Sequence, residues 1–142
     1  MAAGRGGGTG KSDSNGDGDG SQTLYCFSSS KLLLRSYGWM TWNAANKTQP
    51  VGKKSANAWG FQDLHGNVWE WCQDKWHESY RGCPTDGSPW TTEGHNTKRV
   101  VRGGAWYSLA DECRCASRFC YDASFRYSSI GFRVAMDLLY CS

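Results

Sequence analysis

Residues 60–76 read GFQDLHGNVWEWCQDKW. Within this short stretch Phe61, Trp69, Trp71 and Trp76 surround Gly66, with Asp63, Asn67 and Glu70 set between them. A plain amphipathic helix has no need of the glycine, and a plain strand has no need of the acids. The segment therefore predicts a turn that feeds aromatic side chains into a core, its polar residues serving the turn. The whole chain continues the theme: 8 Trp, 7 Tyr and 5 Phe in 142 residues make its apolar surface bulky and aromatic. Such side chains bury large areas, but the indole NH and phenol OH groups need polar partners wherever they go inside.

The length corresponds to one domain. Residues 1–22, which include MAAGRGGGTGKSDSNGDGDG, hold no large apolar group after Met1, so ordering them gains little burial. They are expected to be a disordered tail, with residues 23–142 as the domain. A net charge of +3, from 16 basic and 13 acidic residues mixed along the chain, is too small and dispersed to argue for nucleic acid. No run is long enough for a membrane-spanning helix, and the first residues hold no apolar signal core. KLLLR at 31–35 is a short core segment at most. A cytoplasmic location is the default expectation, and with it reduced thiols at Cys26, Cys72, Cys83, Cys113, Cys115, Cys120 and Cys141. CRC at 113–115 followed by Cys120 lacks the paired spacing of a zinc site, and the histidines do not repair it.

Coarse elements follow from pattern. Residues 21–58 read as loop with short strands, and 68–72 alternates as a short strand. Residues 77–98 form a polar loop punctuated by Gly and Pro. KRVVRGGAW at 98–106 predicts a strand closing on a Gly-Gly bend. SLADECRCASRF at 108–119 predicts the one helix, capped by Ser108, with Asp111 and Glu112 in its first turn and Arg114 and Arg118 in its last. YDASFRYSS reads as loop and IGFRVAM at 130–136 as the final strand. The sum is an α+β domain rich in irregular structure.

Three segments in order, NAWGFQDLHGNVWEWCQD, RVVRGGAW and CRCASR…IGFRVAM, resemble the formylglycine-generating-enzyme (sulfatase-modifying factor) domain, with YGWMTWNAANKTQPVG fitting more loosely. The resemblance covers roughly residues 36–136. It implies a C-type-lectin-like fold with little regular secondary structure, present here as its C-terminal half. It also implies a calcium ion around the turn, with Asp63, Gly66, Val68 and Glu70 at the matching positions, since hard cations take carboxylate and carbonyl oxygens. The plainer reading is that Asp63, Asn67 and Glu70 only satisfy turn NH groups and indoles. Both readings stay open on the sequence.

The oxidase members of that family convert a substrate cysteine to formylglycine using copper held by two cysteines, a choice that suits soft thiolates. Counting back from Arg114-Cys115-Ala116-Ser117-Arg118 places Ala110 and Ala105 at those positions, so no copper is expected. The iron-dependent sulfoxide synthases that share the fold need a histidine pattern that this chain lacks. A further group, the variable proteins of diversity-generating retroelements, displays altered side chains on this same C-terminal segment. Here that segment is rich in Tyr, Ser, Phe, Cys, Asp and Leu, close to what adenine-directed mutation of Asn codons yields in such systems, and Tyr and Ser suit an adaptable contact surface. The resemblance thus implies a non-catalytic domain binding a protein or small-molecule ligand through Trp106, Tyr107, Phe119, Tyr121, Phe125 and Tyr127. The alternatives are a sulfatase-modifying oxidase, or, for Trp106 and Phe125, burial as ordinary core.

Overall fold

The computed structural model describes residues 23–135. The tail expected at 1–22 and the end of the last expected strand, Met136, lie outside the described residues. A single helical turn, α1 (Leu34–Tyr37), leads into β1 (Gly38–Trp39), which pairs in parallel with β2 (His65–Gly66). The main sheet is built from β3 (Trp69–Lys75), β4 (Lys98–Arg102), β5 (Phe119–Asp122) and β6 (Ile130–Gly131), in the order β5-β4-β3-β6. β4 runs antiparallel to both β3 and β5, and β6 is parallel to β3. The rest of the described chain is turn and irregular backbone, so the expected irregular fold is what the molecule has, with far less helix than an α+β reading suggests.

Gly66 answers the question its segment raises. It sits at φ +75°, and a Cβ there would lie 1.9 Å from the Trp39 carbonyl oxygen. Only glycine lets β1 and β2 approach this closely. Asn67 follows, also left-handed at φ 64°, and its amide clamps Gln49 from both sides, accepting from the Gln49 N–H at 2.9 Å and donating to its carbonyl at 3.1 Å. Trp69 then enters the core beside Val101 and Ala105. A second core gathers Tyr25, Leu34, Met40, Ala110 and Cys113. Of KLLLR only Leu34 is buried; Leu32 and Leu33 are exposed.

The helix expected over 108–119 is absent. A 3-10 turn at Ala110–Cys113 is all that forms, and Arg114 is already extended at ψ 150°. The reason is competition for the carbonyls a helix would use. The Tyr25 hydroxyl donates to the Ala110 carbonyl (3.1 Å), the His65 ring to that of Cys113 (2.7 Å), and Arg102 to that of Cys115 (3.0 Å). Ser108 is fully buried and its hydroxyl accepts from the Ala105 N–H rather than capping anything. Glu112 does reach back to the Leu109 N–H at 2.9 Å, so one signal of a helix start is real but local.

Residues 119–122, divided between helix and loop on the sequence, instead form β5 against β4. The strand expected over 98–106 pairs only to Arg102, because Gly103 and Gly104 both take positive φ. The expected 68–72 strand extends to Lys75, and the last strand pairs only at Ile130–Gly131. The polar loop over 77–98 is found as a loop up to the start of β4. No described helix is long and apolar enough to cross a membrane.

Candidate functional site

Side chains on a strand alternate between faces. Register therefore places Trp69 and Trp71 of β3, Val101 and Arg99 of β4, and Phe119 and Tyr121 of β5 on one face of the sheet. Ring contacts agree: Trp69 lies 6.3 Å from Phe119 and Trp71 6.4 Å from Tyr121, centroid to centroid. Phe119 is 5.2 Å from Tyr121, Tyr121 stacks on Phe125 at 5.0 Å, and Phe125 on Tyr127 at 6.0 Å. On the other side Tyr121 meets the Tyr107 hydroxyl, and Tyr107 packs edge-on to Trp106 at 5.1 Å. Burial, then the hydrogen bond to Tyr107, pushes the Tyr121 phenol up to about 12.

All six residues singled out on the sequence thus form one continuous row of rings. None of them is fully buried, although Tyr121 packs against the core of Trp69, Val101 and Ala105. Tyr127 is 59% exposed, Phe119 51%, Phe125 40% and Tyr107 39%, while Trp106 and Tyr121 are half-buried. The alternative that Trp106 and Phe125 are core is not what the fold adopts. Clustered exposed rings of this kind mark contact surfaces.

The residues around the turn meet differently. Asp63 is left-handed at φ 58°, and its Oδ2 accepts from the Gly52 N–H at 2.7 Å; its Oδ1 is buried without a partner. Glu70 does not serve the turn. Both of its oxygens take hydrogen bonds from Arg133, at 2.7–3.0 Å, and the same guanidinium donates to the carbonyls of Gln62 and Asp63. Hydrogen bonding to Glu70 accordingly raises the Arg133 pKa. At the positions the resemblance assigns to calcium, Asp63 keeps one unpartnered oxygen while Glu70 is engaged by a guanidinium. No group of three or more His, Cys, Asp or Glu suited to a metal is found among the described residues.

Sequence reasoning passed over His65. It is 2% exposed, its Nδ1 lies 2.7 Å from the Cys113 carbonyl, and its Nε2 faces the Cys26 amide at 3.2 Å and thiol at 3.0 Å. Donation at Nδ1 makes Nε2 the acceptor, which is the neutral ring, and burial lowers its pKa to about 4. Burial likewise raises the Cys26 and Cys115 thiols, the latter to about 11, so neither is poised as a thiolate. Ala105 and Ala110, at the counted copper positions, are both buried. The described cysteines are free.

Comparison with known proteins places this arrangement. A family described as "Sulfatase-modifying factor enzyme 1-like domain" matches residues 1–138. The chain is 36% identical over 92 residues to the serine/threonine-protein kinase pkn1 of Chlamydia caviae, covering 64% of this chain and 15% of that protein. It is 32% identical over 97 residues to the formylglycine-generating enzyme of Thermomonospora curvata, covering 65% and 32%. Its structure is similar to Treponema denticola variable protein 1, with a TM-score of 0.71 and 32% identity, covering 78% of this chain and 40% of that one. The chain thus spans well under half the length of each.

Proposed function

The chain belongs to the sulfatase-modifying factor enzyme 1-like domain family, and from that premise we propose that it is a non-catalytic binding domain whose ligand docks on the aromatic face of the sheet. The observation that carries this is the unbroken row from Trp106 through Tyr107, Tyr121 and Phe125 to Tyr127, with Phe119 beside it, lying exposed or half-buried above the buried Trp69 and Val101. Tyrosine offers rigid amphipathic area with little rotamer entropy to lose, which suits a surface meant to hold a partner. The likeness to a protein named as variable supports reading this face as a display surface of the retroelement type. A near-copy of the coding segment 105–133, differing only at adenines and lying beside a reverse-transcriptase gene, is the observation expected for that type.

The identity with a formylglycine-generating enzyme supports the second reading, a sulfatase-modifying oxidase. Loading with copper and assaying oxidation of a cysteine-containing sulfatase peptide separates the two. The binding-domain reading expects no turnover, and turnover overturns it. We also read the Glu70–Arg133 pair as filling the place of the cation that the family resemblance implies at Asp63, Gly66, Val68 and Glu70. Melting temperatures in excess EGTA and in millimolar calcium are then equal; a rise with calcium would restore the ion by mass action on the folded state.

A further inference from the structure

The aromatic face ends in a groove of about 460 Å³, lined among others by Trp71, Arg99, Arg126, Ile130 and Phe132. Arg99 lies on the same sheet face as Trp71 and Tyr121, so the groove continues the row of rings rather than standing apart from it. Among the described residues its two guanidinium groups are lightly used. Arg99 reaches the Asn96 and Lys98 carbonyls at 3.4 and 3.3 Å through Nη1 alone, and Arg126 reaches the Ala123 and Phe125 carbonyls at 3.1 Å, also through Nη1 alone. A guanidinium has five N–H donors, so most of each fork has no partner among the described residues.

Acids near the groove are engaged elsewhere. Asp122 accepts from the Ser124 amide and hydroxyl, and Glu70 is held by Arg133. The ion pairs seen among the described residues are Lys31–Asp111 and Glu70–Arg133, so neither arginine of the groove faces a carboxylate there. Two forked donors beside a tryptophan and a 75%-exposed phenylalanine make a surface complementary to carboxylates carried next to apolar side chains.

Resting on the binding-face reading, we propose that the partner is a protein presenting an acidic peptide segment, its carboxylates on Arg99 and Arg126 and its apolar side chains along the rings. A groove open at the surface and continuous with a row of rings suits an extended chain. A nucleic-acid strand is the poorer match, because two guanidinia and a net charge of +3 give little of the basic track that a phosphate backbone requires.

Selection of a random-peptide phage library tests this on three full-length proteins: the wild type, R99Q/R126Q and Y107A/Y127A, each first shown to melt cooperatively. The wild type is expected to enrich Asp and Glu beside aromatic or aliphatic residues, and R99Q/R126Q to lose that enrichment. A synthetic copy of the leading peptide should bind about tenfold more weakly when its acids become amides, or when the arginines are replaced, as loss of a charge-assisted bond predicts. Enrichment without acids, enrichment that survives R99Q/R126Q, no captured peptide, or displacement by oligothymidine below the peptide's own concentration would each overturn it. Neutral peptides bound by the wild type but lost on Y107A/Y127A leave the aromatic face standing and remove the acidic partner. Acidic peptides that need the arginines but not the tyrosines do the reverse.

Discussion

The two faces of the four-stranded sheet are both aromatic and both bury a tryptophan, yet one is closed over by a loop while on the other the outer rings above Trp69 and Val101 stay exposed. Over the closed face lies the loop between β3 and β4. Trp90 packs there, its backbone N–H donating to the Asp74 carboxylate at 3.0 Å while its carbonyl accepts from the Lys75 N–H. His77 stacks flat on Trp90 at 3.4 Å, and both of its ring nitrogens face carbonyls of Lys75 and Thr92. Arg118 lies over both the Trp76 and Tyr80 rings, 4.2 and 4.6 Å from their centroids, and donates to the carbonyls of His77 and Glu78. Arg102 adds a bond to the Tyr80 hydroxyl at 2.5 Å. On this side Arg102 and Arg118 bond through both Nη atoms, and Arg118 also meets two rings. On the other side Arg99 and Arg126 bond through Nη1 alone and meet no ring at cation–π distance among the described residues, and several rings of that face stay exposed. Aromatic content alone does not distinguish a core from a contact surface; what distinguishes them is whether the loop above supplies partners for the polar ends.

That contrast can be broken at several points. Trp90 and Trp69 are 9% and 5% exposed, one on each side of the sheet. Replacing either with Ala should cost about 3–5 kcal/mol in denaturant unfolding, as for other buried aromatics. A loss below about 1 kcal/mol at Trp90 would show that the loop does not close its face.

Acid probes the turn layer that supports both faces. The His65 pKa is depressed from 6.5 to about 4, so between those values the unfolded chain takes up a proton that the native ring refuses. Stability is then full above about pH 6.5 and falls by up to about 3 kcal/mol as the pH drops to about 4. H65Q should flatten that part of the profile, which urea titrations at fixed pH will register.

Arg118 sharpens the comparison further. R118A removes contact with two rings and two hydrogen bonds, a loss of about 2 kcal/mol, and R118K should restore little because an ammonium lacks the planar fork. The smallest effect is expected on the open face: Y107A and Y127A, taken singly, should shift stability by about half a kcal/mol, as surface positions do. If both cost several kcal/mol by the same measurement, the row of rings is core and the proposed face is wrong.

Much of the open face was legible before any fold. Its six residues follow the Gly-Gly bend or flank the stretch read as a helix, in a segment too irregular to bury them all. What misled was the secondary structure beneath them. Asp111, Glu112, Arg114 and Arg118 have the charge order of a helix, and local propensity is a weak prior where tertiary donors compete for the carbonyls. Tyr25 and His65, distant in sequence, take those carbonyls, and Phe119–Asp122 pairs with β4 instead. Arg99 and Arg126 left no sequence signal at all, since a guanidinium's neighbours depend on strand register.

The sequence by itself determined the aromatic composition, the need for glycine before the Trp-Glu-Trp strand, and the family to which the motifs belong. These are properties of residue type and of backbone conformations that only certain residues tolerate. Tertiary structure alone decided that Glu70 meets Arg133 rather than the turn, that His65 is held neutral, and which face of the sheet stays open. Each of those depends on a partner brought from far along the chain, and a side chain's charge, partners and exposure are set by what finally packs against it.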